Sequence, residues 1–267
     1  MKLSALYHYP IKSCAPLPAE RLALGPRGPE ADRRWMVVDA DGRFVTGRQQ
    51  PRMVLLQARP QDTGLALSAP GLADLHVATP GPDAARISST VWKDCVDAQD
   101  AGDAAAEWLS AFLGQPVRLV HMDQAARRPV SGGRPGDEVS FADGYPLLLV
   151  SQAALDALSA RVGRPMAMTR FRPNLVVEGC APHAEDGWRR LRIGGIEMEM
   201  VKPCTRCAFT TIDPDTAERD PDGEPLRSLG QYRRGEGGVL FGVNLIARGE
   251  GDLRIGDAVE VVEGDGT

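Results

Sequence analysis

The chain has 267 residues, of which 43% are hydrophobic and 25% are charged. This composition is typical of a soluble globular protein with one large domain or two smaller ones. The formal net charge of −5 argues against a nucleic-acid-binding protein, which usually carries a basic domain. No apolar run approaches the roughly 18 residues of a membrane span, and the apolar start before Pro10 is too short for a secretion signal. We therefore expect a cytoplasmic protein that binds neither nucleic acid nor membrane.

The first hundred residues predict strands and turns. Short apolar runs at 35–38 and 53–56 are separated by the turn sequences D-A-D-G, P-R and G-P. That density of turns is typical of an antiparallel or barrel-like sheet. The apolar spacing over 103–113 then predicts a helix, with Asp103 as its N-cap and Gly114 as its C-terminal stop.

The second half of the chain combines one more helix with several strands. Residues 125–137 lack apolar periodicity and predict a mobile loop or a domain boundary. A serine-capped helix is predicted over 151–162, with a glycine beyond its end. Alternation around two glycines predicts a hairpin over 191–200, and an apolar run predicts a buried strand over 239–247. The pattern over 253–262 predicts a closing hairpin.

These patterns together predict the fold class. We expect a mainly β protein with a few helices (α+β), built as two packed β-barrel-like units. We divide the chain into residues 1–122 and 123–267. No exposed apolar helix face or heptad pattern is evident, so we expect a monomer.

The five cysteines do not read as a disulfide framework, because their number is odd and their spacing irregular. Cys204 and Cys207 form the C-x-x-C pair. Zinc would need two further ligands, so a Cys2His2 site assembled from distant parts stays open. A thioredoxin-like motif should open a helix, but residues 208–216 predict another strand and a turn.

Four clusters combine a rigid element or a turn with Arg, Lys, Ser, Thr or Asn donors: residues 10–14, 32–35 with 46–52, 170–174, and 202–215. Such donors suit an anionic ligand, above all a phosphate. Glycine-loop nucleotide signatures are absent, so side chains would hold that ligand. Arg206 lies beside Cys207 and would favour its thiolate. A single thiolate suits a soft metal centre whose cofactor supplies other sulfurs; a buried, unreactive cysteine is the alternative.

Six motifs, in order along nearly the whole chain, carry a resemblance: Y-P-I-K-S-C, D-R-R-W, R-Q-Q-P-R, F-R-P-N-L-V-V, P-C-T-R-C-x-x-T-T-I-D-P-D-T and L-F-G-V-N. Together they resemble the MOSC family, the molybdenum cofactor sulfurase C-terminal type of domain, with its N-terminal MOSC β-barrel partner. The pattern is most similar to the amidoxime-reducing members of that family, mitochondrial and bacterial.

The resemblance implies a molybdopterin-type molybdenum cofactor whose metal takes one protein thiolate. Cys207 would be the molybdenum ligand, and Cys204 would be its neighbour. Contacts to the pterin and phosphate parts would come from Lys12, Ser13 and Arg33 in the N-terminal unit and from Arg172, Thr205 and Arg206 in the C-terminal unit. Asp143, Gly144 and Asn244 align with further cofactor contacts, and Asn174 belongs to the F-R-P-N motif. Asp213 would relay protons, although Asp-Pro-Asp is also an ordinary turn sequence.

The implied activity is a reductase for hydroxylamines, amidoximes or N-hydroxylated bases, which removes their oxygen at the reduced metal. No cysteine follows Cys207, so electrons would come from a separate ferredoxin- or flavoprotein-type protein. One alternative is a carrier that holds molybdenum cofactor or sulfur on Cys207 without redox turnover. Another is a phosphate-binding β-barrel with pyridoxal phosphate, whose Schiff base would need Lys12 or Lys202.

Overall fold

The computed structural model describes residues 1–264, and strands make up most of its regular structure. The strands are β1 (Lys2–His8), β2 (Leu17–Ala19), β3 (Arg21–Gly25), β4 (Gly28–Pro29), β5 (Trp35–Val38), β6 (Gln57–Gln61), β7 (Gly64–Ser68), β8 (Leu75–Ala78), β9 (Arg86–Val91), β10 (Asp94–Asp100), β11 (Arg118–His121), β12 (Leu147–Ser151), β13 (Leu175–Glu178), β14 (Trp188–Ile193), β15 (Ile196–Arg206), β16 (Arg234–Gly235), β17 (Gly238–Ala247), β18 (Gly251–Arg254) and β19 (Val259–Gly264). The prediction of a mainly β fold with a few helices is confirmed.

The helices are short and few. The α-helices are α1 (Asp103–Leu113), α2 (Gln152–Val162) and α3 (Leu226–Tyr232), and 3-10 helices cover Pro51–Leu55, Met168–Phe171, Ala184–Gly187 and Ala208–Thr211. None of the helices within residues 1–264 is both long and apolar enough to cross a membrane.

One large sheet runs in the order β19-β14-β15-β17-β12-β13-β1-β2, with β16 added beside β17. Strands β12 and β13 are parallel, and α2 makes the crossover between them. All five residues of β12 are buried, as expected for a strand covered on both faces. The first strand belongs to the same sheet, because Leu6 pairs with Leu175. The division at residue 122 stays a prediction.

Two smaller sheets, β5-β11-β10-β9 and β6-β7-β8, form most of the N-terminal part of the fold. Helix α1 packs Leu109 and Phe112 into a core that also contains Val37 and Leu67. Gly114 ends α1 in the left-handed conformation (φ 69°), as predicted. The predicted N-cap is wrong by one residue: Gly102 occupies that position, and Asp103 lies in the first turn.

One helix and one hairpin in the second half of the chain were predicted correctly. In α2, the side chain of Ser151 caps the helix by accepting from the N–H of Ala154. The β14–β15 hairpin turns at Gly194 and Gly195, whose φ angles of 56° and 85° are those that a two-residue turn demands. Strand β15 then continues along β17 as far as Arg206.

Three local predictions fail for identifiable reasons. Residues 53–56 are not a strand, because Pro51 starts a 3-10 helix there. Residues 208–211 also form a 3-10 helix rather than a strand. Strands β18 and β19 are consecutive, but β18 pairs with β3 and β19 pairs with β14, so no closing hairpin forms. The N–H of Leu3 bonds to the carbonyl of Asp257 in the turn between them.

Candidate cofactor-binding site

A cleft opens between the segments that follow β1 and β5 and the ends of β15 and β17. The structure brings eleven of the sequence-predicted site residues to its lining: Lys12, Ser13, Arg33, Asp143, Gly144, Arg172, Asn174, Thr205, Arg206, Cys207 and Asn244. Asp213 does not line it.

Lys12 comes shortly after β1 and is buried at the floor of the cleft. Its Nζ donates to the carbonyl of Phe141 (2.8 Å) and to Oδ1 of Asp143 (2.5 Å). Burial lowers the pKa of Lys12, and the Asp143 carboxylate acts in the opposite direction. Since Nζ is already engaged, the geometry does not favour a Schiff base there.

Arg33 is held by neighbours on several sides. Its backbone has a φ of 47°, and Nη1 donates to Oδ2 of Asp32 (2.5 Å) and to Oδ1 of Asn174 (3.1 Å). The guanidinium carbon lies 4.2 Å from the ring centre of Tyr9. The amide of Asn174 also donates to the carbonyl of Tyr7 (3.2 Å). Asn174 therefore contributes to the cleft by positioning Arg33.

Arg172 contacts the same tyrosine ring as Arg33. Its guanidinium carbon also lies 4.2 Å from the Tyr9 ring centre, and Nη1 donates to the carbonyl of Cys14 (2.6 Å). Its Nη2 is buried and has no hydrogen-bond partner within residues 1–264. Burial and the nearby charge of Arg33 lower the pKa of Arg172 to about 10. This guanidinium is short of an acceptor.

The C-T-R-C segment ends β15 at the mouth of the cleft. Arg206 donates through Nη1 to Sγ of Cys204 (2.8 Å) and through Nη2 to the carbonyl of Phe171. Its Nε is buried and lacks a partner among the described residues. Cys207 is exposed, and its carbonyl accepts the N–H of Thr210 at the start of a 3-10 helix. The guanidinium contact thus goes to Cys204, the cysteine that was predicted to be only a neighbour.

Asp213 supports the cleft from outside it. One carboxylate oxygen accepts from Nη2 of Arg170 (2.6 Å), a residue that does line the cleft. The other accepts the turn N–H groups of Asp215 and Thr216 (3.0 and 3.1 Å). Partial burial raises the pKa of Asp213, but these N–H groups and Arg170 lower it by more. Its role as a proton relay stays a prediction.

Several lining residues were absent from the predicted set: Phe44, Thr46, Gly47, Arg48, Trp92, Ala142, Tyr145, Leu148, Arg170, Phe171, Phe209 and Thr210. Arg48 and Arg170 stood within clusters that the sequence had singled out. Gly47 packs against Phe209 so closely that a Cβ there would lie 2.0 Å from the ring. Trp92, in the turn between β9 and β10, gave no signal in the sequence.

The charge of the cleft is strongly unbalanced. Its lining includes one carboxylate, that of Asp143, against six cations: Lys12, Arg33, Arg48, Arg170, Arg172 and Arg206. An anionic ligand is the natural complement of such a lining. No group of three or more His, Cys, Asp or Glu side chains in residues 1–264 is arranged to hold a metal ion. A zinc site of that kind is therefore not present in the described part of the chain.

Comparisons with known proteins show the family to which this fold and cleft belong. The MOSC N-terminal beta barrel domain model matches residues 1–116, and the MOSC domain model matches residues 136–260. The chain is 37% identical over 276 residues to mitochondrial amidoxime-reducing component 1 of Mus musculus, covering 96% of this chain and 81% of that protein. The identity is 36% for the Homo sapiens protein of the same name and for component 2 of Bos taurus, each covering 96% of this chain and 82% of the relative. The chain belongs to the MOSC family.

Proposed function

We propose that this chain is a molybdenum-cofactor-dependent oxidoreductase that reduces N-hydroxylated compounds. The observation that carries the proposal is the pair of buried donors without partners, Nη2 of Arg172 and Nε of Arg206. Both arginines line a cationic cleft that also contains the exposed thiol of Cys207. The names of the relatives, amidoxime-reducing components, support the same reaction class.

The residues present fit the cofactor. A buried donor without an acceptor costs about 1–3 kcal/mol, so a group with anionic oxygens or sulfurs would relieve both arginines. We assign the phosphate and pterin parts to Ser13, Arg33, Arg172 and Arg206, and the metal to the thiolate of Cys207. One thiolate from protein suits a molybdenum whose remaining sulfurs come from the cofactor.

The bound cofactor would supply a two-electron centre able to take the oxygen of an N–O bond, with water as the second product. The protein's own part is to hold the cofactor and to select what approaches it. An amidoxime is neutral near pH 7, whereas the amidine product is protonated. Lining cations that the cofactor does not neutralise would repel the amidinium but not the amidoxime, and this difference favours product release.

The electrons require a partner. Reduction of each N–O bond consumes two electrons and two protons, and we propose that a separate ferredoxin- or flavoprotein-type protein delivers the electrons. The cytoplasmic location and the monomeric state stay predictions.

The first test is the molybdenum and pterin content of protein expressed with molybdate, for wild type, Cys207→Ala and the control Cys95→Ala. Cys95 is an exposed cysteine outside the cleft. We expect near-stoichiometric metal in wild type and in the control, and loss of metal with partial retention of pterin in Cys207→Ala. Wild type that is folded but contains neither molybdenum nor pterin would contradict the proposal.

An activity measurement distinguishes the proposed reductase from the alternative, a carrier of the cofactor or of sulfur. We expect metal-loaded wild type to reduce benzamidoxime to benzamidine with a reduced viologen dye as electron donor. Full metal loading without any reduction would favour a carrier of the cofactor or of sulfur.

A further inference from the structure

Trp92 is an unusual residue in the lining of the cleft. Among the large hydrophobic side chains of residues 1–264 that are exposed, it alone lines the cleft, and it is 45% exposed. An exposed indole contributes little to the protein core. Its presence at the mouth of the cleft therefore needs a reason other than packing.

The backbone conformation of Trp92 also indicates a role other than packing. Val91 pairs with Asp94, so Trp92 and Lys93 form a two-residue turn between β9 and β10. The φ of Trp92 is 56°, a conformation that glycine or asparagine adopts at the lowest cost in such turns. A bulky side chain in this region is an outlier, and outliers of this kind concentrate at functional sites.

Neighbouring side chains fix the orientation of the indole. Its N–H donates to Oδ1 of Asp143 (3.2 Å), the oxygen that Lys12 also contacts. The Arg48 guanidinium lies 4.8 Å from the ring centre, and the ring of Phe44 meets it edge to face at 5.1 Å. The ring is thus exposed and oriented at the same time.

A buried arginine ties the Trp92 turn to the loop that carries Asp143. Nε of Arg128 donates to Oδ2 of Asp94 (2.9 Å) at the end of the turn. Its two other nitrogens donate to the carbonyls of Ser140 (2.7 Å) and Asp143 (2.9 Å). Arg128 comes from the segment 125–137, which the sequence predicted to be a mobile loop or a boundary. That segment holds the wall of the cleft in place.

Space for a substrate lies beside the ring. Trp92, Asp143 and Gly144 line both the cleft and a neighbouring cavity. A substrate whose N–O group enters the cleft can therefore extend its remaining part along the indole.

We propose that Trp92 is a specificity-determining residue on which the planar, conjugated part of an N-hydroxylated substrate stacks. This inference rests on the proposed function and adds a preference within it: aryl or heteroaryl compounds over aliphatic ones with the same reacting group. Stacking on an oriented aromatic ring provides that discrimination.

The test compares benzamidoxime with acetamidoxime, which share the reacting group and differ in the phenyl ring. The variants are Trp92→Gly, Trp92→Phe and the control Ala217→Gly, which also replaces a residue of positive φ (62°) outside the cleft. For Trp92→Gly we expect KM for benzamidoxime to rise about tenfold, with kcat and the KM for acetamidoxime unchanged. Trp92→Phe keeps a ring and should retain most of the preference.

Thermal unfolding checks that the effect is not structural. Because glycine suits the backbone at this position, we expect the Tm of Trp92→Gly to stay within a few degrees of wild type. A large fall in Tm would identify Trp92 as a packing residue and overturn the proposal. An equal loss with both substrates would also overturn it, because Trp92 would then act through Asp143 and Lys12. So would KM values unchanged for both.

Calorimetric titration of metal-loaded protein with benzamidoxime separates this inference from the proposed function. If wild type turns over neither compound, the proposed reductase fails. The stacking role then stands if wild type binds benzamidoxime about tenfold more tightly than Trp92→Gly does. Equal binding, or no binding to wild type, overturns the stacking role.

Discussion

Two pairs of cations in the cleft, one on each wall, differ in how they are satisfied. On the N-terminal wall, Lys12 is paired with Asp143, and Arg33 is paired with Asp32. On the C-terminal wall, Arg172 and Arg206 each keep one buried nitrogen without a partner in residues 1–264. The two cations of the first pair are therefore neutralised by carboxylates, whereas each arginine of the second pair keeps a donor that a ligand could satisfy.

This difference indicates which cations stabilise the fold and which are available to bind a ligand. A buried ion pair is costly to break from one side, because the remaining charge has no partner. A buried guanidinium that lacks an acceptor instead lowers the stability of the ligand-free protein and stabilises a bound anion. Substitutions on the two walls should therefore change folding and binding in different proportions.

The largest expected effect is on the N-terminal wall. Asp32 is buried, its Oδ2 pairs with Arg33, and its Oδ1 accepts the N–H of Tyr9. We expect Asp32→Ala to lower the free energy of unfolding by about 3–5 kcal/mol, measured by urea denaturation. Asp32→Asn keeps an acceptor without the charge and should cost less.

Asp41→Ala is the matched control for that prediction, since Asp41 pairs with Arg43 on the surface, where both side chains are 70% exposed. Such a pair contributes about 1 kcal/mol or less. If Asp32→Ala cost no more than Asp41→Ala, the pair of Asp32 and Arg33 would not stabilise the fold as a buried ion pair does.

A smaller expected effect is a change of stability with pH, and it arises from His121 in β11. His121 contacts the ring of Trp35 at 4.5 Å. Burial, with the charge of Arg34 as the second cause, lowers the pKa of His121 from 6.5 to about 4. Between these two values the unfolded chain binds a proton that the folded protein does not, so stability falls as the pH falls through this range.

From about pH 7 to about pH 5, His121 should therefore account for a loss of about 2 kcal/mol in unfolding free energy. The measurement is urea denaturation at both pH values for wild type and His121→Gln. The other histidines are the same in both proteins, so their contribution cancels. Parallel losses in the two proteins would contradict the assignment to His121.

The smallest expected change in stability has the opposite sign. Arg172→Met removes a buried charge and keeps an apolar contact with Tyr9. We expect the cofactor-free protein to be unchanged or more stable by about 1 kcal/mol, while the retained pterin falls strongly. Arg33→Met is the comparison, because it leaves Asp32 unpaired and should destabilise the protein. Similar losses of stability in both variants would remove the distinction between the walls.

Local sequence signals predicted much of the fold. Helices α1 and α2 end at glycines in the left-handed conformation, because a residue without Cβ adopts it at little cost. The Gly194-Gly195 turn likewise defined the hairpin that leads to the C-x-x-C pair. These features depend on residues a few positions apart, so they can be predicted from the sequence alone.

Contacts between distant residues were not readable in this way. Lys12 meets Asp143 across 131 positions, and Arg33 meets Asn174 across 141. The motifs predicted that these residues belong to one site, but not that they are partners of one another. The role of Arg128 was missed for the same reason, since its segment has no periodicity and its acceptors, Asp94, Ser140 and Asp143, lie outside that segment.

By itself, the sequence determined the mainly β class, the C-terminal ends of α1 and α2, the β14–β15 hairpin and the motifs that line the cleft. Only the tertiary structure decided that β18 and β19 pair with different strands, that Arg206 contacts Cys204, and that Trp92 stands exposed at the mouth of the cleft. The physical reason is that caps and turns are local, whereas strand partners, ion pairs and exposure depend on the whole packed chain.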